Sequence, residues 1–482
     1  MVFSSNVFLF LFLPLFLAGY YLCPDRHRSW LITGASYAFY AWWRVDFLFL
    51  FVAMTAWNYW VGQAIYARGV RTAAARKWLI VGVGVDLAIL GCFKYANFGV
   101  ASFNTLVTGV GFEAFSWSAI LLPIGISFYT FEAISYIADV YRGDCEPVRK
   151  PIDFACFLAM FPHLIAGPVF RYKDLHEQFH QRTHTLDKFA EGSTRFMQGF
   201  IKKVFIADSI APLVAEGFAL ADPTTADAWL TTLAYTAQLY FDFSGYTDMA
   251  IGLGLMMGFR FVENFNQPYI SQSITEFWRR WHMSLSAWLR DYLYIALGGN
   301  RGGVAKTYRN LFLTMLLGGL WHGANWTFVI WGAWHGAILS IERRLGVQGN
   351  PSGFNPARML LTLMFVMLGW VMFRAETVAG AMTIYAALFR FDGLGLSELY
   401  GAGITSLQIW TLVLAWLVIF GRGLQQRLRR GDAGALAPAE GGAGTVARWR
   451  EHTALLALVP LFALAVLKLS AQSYSPFLYF QF

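Results

Sequence analysis

Residues 317–341 read LGGLWHGANWTFVIWGAWHGAILSI, and the 19 residues from Gly323 to Ile341 carry no Asp, Glu, Lys or Arg. A helix needs about 20 predominantly apolar residues to cross the hydrocarbon layer of a bilayer, so this stretch is long enough to span. Similar uncharged runs lie at Met1–Pro24, Phe47–Ala67, Tyr95–Phe112, Ala114–Phe131 and Leu399–Gly421. Leu311–Leu320 is too short to cross alone and suits a helix buried inside protein at membrane depth. The pattern predicts an all-α, polytopic membrane bundle with about 10 to 13 transmembrane segments plus re-entrant or half-membrane helices.

Composition agrees. Of 482 residues, 57% are hydrophobic and 14% charged, against about 25% charged in soluble domains. The net charge of +8 is spread over short clusters beside apolar runs, which is the pattern of cytoplasmic loops and not of a nucleic-acid surface. Arg26–Arg28, Arg68–Lys77, Arg142–Lys150, Arg343–Arg344 and Arg422–Arg430 are such clusters, which would place Met1 outside. The opening segment lacks the basic n-region of a signal peptide and reads as a retained helix. Cys23, Cys92, Cys145 and Cys156 form no CxxC pair and read as packing residues. With no internal repeat and no soluble domain, residues 1–482 read as one membrane domain, with a Gly/Ala-rich cytoplasmic linker at 422–450 before a last helix near Ala454–Leu467.

Residues 151–342 form the expected catalytic core, because ionisable side chains become frequent there within apolar sequence. Such groups cost about 2.5–3.5 kcal/mol each on insertion scales and so tend to line cavities or do chemistry. His322 is the strongest candidate. A neutral imidazole can take a proton from a hydroxyl or thiol and return it without carrying a permanent buried charge. Gly318, Gly319 and Gly323 would let backbone or substrate come close. On a continuous helix Asn325 would share the face of His322 and could orient the ring or donate to an oxyanion, while His335 would turn to the opposite side and read as structural. A core histidine bonded between helices is the alternative for His322.

Upstream, Ser273–Asp291 reads SITEFWRRWHMSLSAWLRD and opens with a capping-box pattern, Ser273 with Glu276. Here His282 would line a donor route, and Arg279 and Arg280 would meet donor phosphates or anchor the helix on the basic side. YFDFSGYTDM at 240–249 brings Asp242 and Asp248 into apolar sequence; either could orient a histidine or pair with Arg260, Arg279 or Arg280. HLIAGPVFRYK at 163–173, with Gly167 and Pro168, suits a broken helix. No P-loop, GxSxG elbow, Rossmann fingerprint or HExxH metal helix is present, so no metal or bound cofactor is expected.

These motifs resemble the membrane-bound O-acyltransferases, in particular the bacterial branch of alginate O-acetyltransferases and teichoic acid D-alanyl transfer proteins. The resemblance rests on WHGANW around His322, FWRRWH at His282, and the near-complete ITEFWRRWHMSLSAWLRDYLYIALGGN and YFDFSGYTDMAIGLGLMMGF. It runs from MVFSSNVFLFLFLP to SAQSYSPFLYFQF, with only Arg422–Arg450 divergent. It implies a bundle thinned at its centre, with cavities from both sides meeting at the family's key histidine, His322, and a second histidine, His282, nearer the donor entrance. Trp321, Asn325, Asp242, Arg279 and Arg280 are the expected supporting residues. Also implied are acetyl-CoA as donor, periplasmic or membrane-anchored alginate acetylation proteins as partners, and a bacterial inner membrane location with a periplasmic N-terminus. Acetylation of cellulose or peptidoglycan, a proton-coupled transporter, or a docking scaffold are the competing readings. A transporter would more often show inverted repeats, which are absent from the sequence.

Overall fold

The computed structural model describes residues 1–179, 181–348, 353–430 and 445–471; their regular structure is helix, with no strand among them, and residues 112–123, which include the first half of the expected Ala114–Phe131 span, are irregular backbone. Asp46–Ala67, Ala73–Gly109 and Pro356–Arg374 are long and apolar enough to cross a bilayer by length and composition, and Phe8–Leu22, Val378–Leu388, Ser406–Gly421 and Ala457–Ala471 are shorter apolar helices. Other long helices, including Thr225–Met256 and Val304–His322, carry buried Asp, Thr, Asn and His side chains that lower their mean apolarity. The fold is the all-α, polytopic one the sequence predicts.

The chain forms two compact units, the first made of residues 1–192 and 253–262. Its central element is the Ile126–Arg142 helix, buried along its whole length from Ile126 to Val140. Glycine permits the close packing around it. A Cβ on Gly62 of the Asp46–Ala67 helix would lie 2.5 Å from the Tyr136 ring, and one on Gly82 of the next helix 2.8 Å from Val61. Small residues of this kind let membrane helices meet backbone to backbone. The buried Asn58 amide donates to Asp86 at 2.9 Å across the same pair of helices. Phe12, Phe16 and Phe39 surround Phe161 at ring separations of 5.0–5.6 Å.

The interruption expected near His163 is present. Pro151 opens a helix that ends at Ala159, Met160 leaves the helical region with ψ 112°, and Phe161–Leu164 forms a single turn before irregular backbone in which Gly167 has φ 130°. Inside the bend His163 is fully buried, its Nδ1 3.0 Å from Oε1 of the equally buried Glu132. All four cysteines are free; Cys156 is buried, Cys23 and Cys145 are half-buried and Cys92 is exposed.

The second unit contains residues 193–252 and 263–481. At 32 residues, its Thr225–Met256 helix is about 48 Å long at 1.5 Å per residue. It meets the Leu186–Ile201 helix where Gly199 and Gly245 face each other, a Cβ on Gly199 falling 2.4 Å from the Gly245 carbonyl oxygen. Val304–His322 and Trp326–Arg344 form a tight antiparallel hairpin. A Cβ on Gly319 would sit 2.4 Å from the Phe328 carbonyl oxygen and one on Gly332 2.6 Å from that of Met315. Ser406–Arg430 and Thr445–Ala471 complete the unit. Helix therefore replaces both ends of the expected 422–450 linker, and the remainder, 431–444, lies outside the described residues.

Candidate active site

The hairpin explains where His322 sits. Its helix stops at His322 because Gly323 is extended (φ −160°, ψ 149°), and the Phe328 ring occupies the space beside it, 2.1 Å from where a Cβ would be. The chain restarts at once. Asn325 caps the Trp326–Arg344 helix, its Oδ1 accepting the Thr327 N–H at 3.2 Å, while its Nδ2 donates to the Glu376 carbonyl at 2.8 Å. The shared helical face expected for His322 and Asn325 is thus replaced by a break between them, and the polar atoms of Asn325 bind backbone. Across the same break one ring, Trp331, packs against both His322 and His335, at 5.2 and 5.0 Å.

His322 is 8% exposed and is walled by Trp321 at 5.0 Å and Phe373 at 5.2 Å between centroids. The His282 ring lies 6.4 Å from the His322 ring and is fully buried, edge-on to Phe243 at 4.7 Å. The two histidines separated by 40 positions in sequence therefore meet in one buried aromatic chamber walled by Phe243, Trp321, Trp331 and Phe373.

The segment bearing His282 is held by polar groups. Ile274–Trp278 is little more than a turn, and Met283–Trp288, which runs on into Leu289–Tyr294, starts afresh after His282, so the first backbone N–H groups of each lack partners within the helix. Ser273 accepts the Glu276 N–H at 3.0 Å as the capping pattern predicts, but Glu276 reaches back to Gln272 N–H at 2.8 Å, one residue further than expected. Glu342, from the end of the Trp326–Arg344 helix, accepts the N–H groups of Ile274 and Thr275 at 2.6 and 2.9 Å and the Thr275 hydroxyl at 2.7 Å. His282 has left-handed backbone (φ 44°, ψ 54°), uncommon for a residue with a Cβ and frequent where function requires it. Asn264 Oδ1 lies 3.1 Å from its Nδ1.

The remaining candidates lie in other roles. Arg280 pairs with Glu276 at 2.9 Å and donates to the Asn266 carbonyl, bracing the His282 segment; Arg279 is exposed. Asp242 binds Lys203 at 2.7 Å, and Asp248 binds Arg195 at 2.7 Å and Lys202 at 2.5 Å. Their partners come from the Leu186–Ala207 region, where the arginines 260, 279 and 280 were expected. Arg195, Lys202, Asp248 and Glu263 line a cavity of about 370 Å³ together with Tyr240, Phe265 and Asn266. Sequence reasoning missed Asn264, Trp331, Phe373 and Glu342. None carries a periodic signal, because each acts across a break or from another helix.

The sequence pattern of the membrane-bound O-acyltransferase family matches residues 148–385, which include both histidines. The multi-pass helical fold, the buried imidazole pair and this match define an integral-membrane acyltransferase. Over their full lengths the chain is 63% identical to the "probable alginate O-acetylase" proteins of Azotobacter vinelandii and Pseudomonas putida, with 100% of each chain covered. It is 37% identical to the peptidoglycan O-acetyltransferase of Helicobacter pylori over 83% of this chain and 82% of that one. The chain belongs to the membrane-bound O-acyltransferase family, in its alginate O-acetylase branch, and is an O-acetyltransferase.

Proposed function

We propose that the protein passes acetyl groups from a cytoplasmic thioester, acetyl-CoA, across the bacterial inner membrane to periplasmic partner proteins that O-acetylate alginate. The observation that carries this reading is the convergence of His322 and His282 at 6.4 Å inside a buried aromatic chamber, in a chain 63% identical end to end to alginate O-acetylases. His322 takes the proton of an acceptor hydroxyl as that oxygen attacks the thioester carbonyl. The resulting tetrahedral oxyanion collapses, the C–S bond breaks, and the departing thiolate takes the proton from the imidazolium. Neither histidine is consumed, and no oxidant is needed.

The aromatic walls keep water from the thioester and strengthen any hydrogen bond formed to the oxyanion. His282 faces the donor side of the same chamber. Met1 is periplasmic in this arrangement, since the Arg26–Arg28 cluster stays inside. The higher identity to alginate O-acetylases, 63% against 37% for the peptidoglycan enzyme, favours alginate as the final acceptor. Mass spectrometry of secreted alginate tests the proposal. His322→Ala, present in the membrane at wild-type level, is expected to abolish acetyl esters, and acetylation at the wild-type level would overturn the assignment.

A further inference from the structure

We infer that Asn264 is a positioning residue for acetyl transfer, fixing the tautomer of His282 so that the ring offers an unprotonated Nε2 to the aromatic chamber. Asn264 Oδ1 receives three groups: the Ser284 backbone N–H at 3.2 Å, the Ser284 hydroxyl at 2.9 Å and His282 Nδ1 at 3.1 Å. A backbone N–H can only donate, so the atom facing it is the amide oxygen and not the amide nitrogen. An oxygen acceptor facing Nδ1 requires that Nδ1 carry the hydrogen. A neutral imidazole has only one such hydrogen, which leaves the lone pair on Nε2.

That lone pair has no hydrogen-bond partner within the protein although it is buried. Leaving a buried acceptor unmatched is unfavourable, and an incoming N–H, O–H or S–H group would satisfy it. The backbone reinforces the arrangement, since the Asn264 carbonyl accepts the Met283 N–H at 3.0 Å. One residue thereby holds both the ring of His282 and the chain just after it, across the left-handed turn at φ 44°. The two histidines are not interchangeable: the hydrogen-bonding direction of His282 is set by Asn264.

The inference rests on the acetyl-transfer reading, and its test separates the two. In full-length protein labelled with 15N-histidine and assigned by His282→Gln, NMR is expected to find the hydrogen on Nδ1 of His282 in the wild type and to lose that preference in Asn264→Leu. With acetyl-CoA as donor, Asn264→Leu should lower kcat by about 100-fold, the typical cost of a displaced reacting group, with KM within about twofold. Asn264→Asp keeps an oxygen for all three donors and should recover kcat to within about fivefold of wild type. Ser284→Ala should stay near wild type. On a His282→Gln background Asn264→Leu should cost nothing more. Equal impairment of the Leu and Asp variants, an undiminished second loss on His282→Gln, or an unchanged tautomer would each overturn the inference. A protein that transfers no acetyl from acetyl-CoA would instead sink the functional reading, with the NMR result still deciding the tautomer.

Discussion

Replacing Asn325 distinguishes two roles that differ by orders of magnitude in rate. In the structure its Oδ1 caps a helix through Thr327 N–H at 3.2 Å and its Nδ2 donates to the Glu376 carbonyl at 2.8 Å. Losing a cap costs about 1 kcal/mol, and losing the second bond about another 1 kcal/mol. Asn325→Ala should therefore destabilise this end of the hairpin by about 2 kcal/mol, and Asn325→Ser, which retains a capping oxygen, by about 1 kcal/mol. Removal of an oxyanion donor has another signature: about 2.7–4 kcal/mol of transition-state stabilisation, or 100- to 1,000-fold in kcat, without a change in folding. The assay is acetyl-CoA turnover per folded molecule in detergent, alongside the thermal unfolding midpoint. Capping predicts midpoints in the order wild type, Ser, Ala, and kcat within about threefold for both variants once the folded fraction is counted. A Ser variant with an unchanged midpoint and a hundredfold lower kcat would refute the capping argument.

Gly319→Ala places a Cβ 2.4 Å from the Phe328 carbonyl oxygen, so the hairpin must spread at a cost of about 1–3 kcal/mol, seen as a lower thermal midpoint and a smaller detergent-extractable yield. Glu342→Gln leaves one acceptor oxygen where two now serve Ile274 and Thr275; it should lower acetylation of secreted polymer more steeply as temperature rises, whereas an exposed Arg279→Gln change should not. Lys203→Met removes the ammonium group bound by both Asp208 and Asp242 and should cost about 3–5 kcal/mol, measured as loss of monodisperse protein, with partial recovery when Asp242→Asn is added.

Much of the fold was legible because its cause is local. Uncharged runs of about 20 residues are mostly helix here, as membrane segments of that length require, although residues 112–123 are irregular, and ionisable groups in apolar sequence mark the region where His282 and His322 are buried. What stayed hidden depends on contacts between distant residues. Spacing of three placed Asn325 beside His322, but Gly323 breaks the helix because the Phe328 ring fills the adjoining space, and periodicity cannot foresee a break. The same break lets Trp331 pack against His322 across it, while His335 lies one turn along the helix of Trp331. The carboxylates of Asp242 and Asp248 face lysines and Arg195, since the Gly199–Gly245 contact brings that helix closest. Asn264 gave no signal at all: its partners are 18 to 20 positions away.

The segments hardest to read are also those that hold His282, and one physical requirement accounts for both facts. The five-residue helix Ile274–Trp278 and the fresh helix start at Met283 leave backbone N–H groups without helical partners on both sides of His282, and irregular backbone at membrane depth is tolerated only where protein or a cavity supplies replacements. Glu342 supplies them at Ile274 and Thr275, Ser273 at Glu276, and Asn264 at Met283 and Ser284. Of these, Asn264 both supports the broken backbone and holds the imidazole. Loosening Asn264 disturbs position and stability together, because the same side chain that anchors the restarted chain also holds the His282 ring.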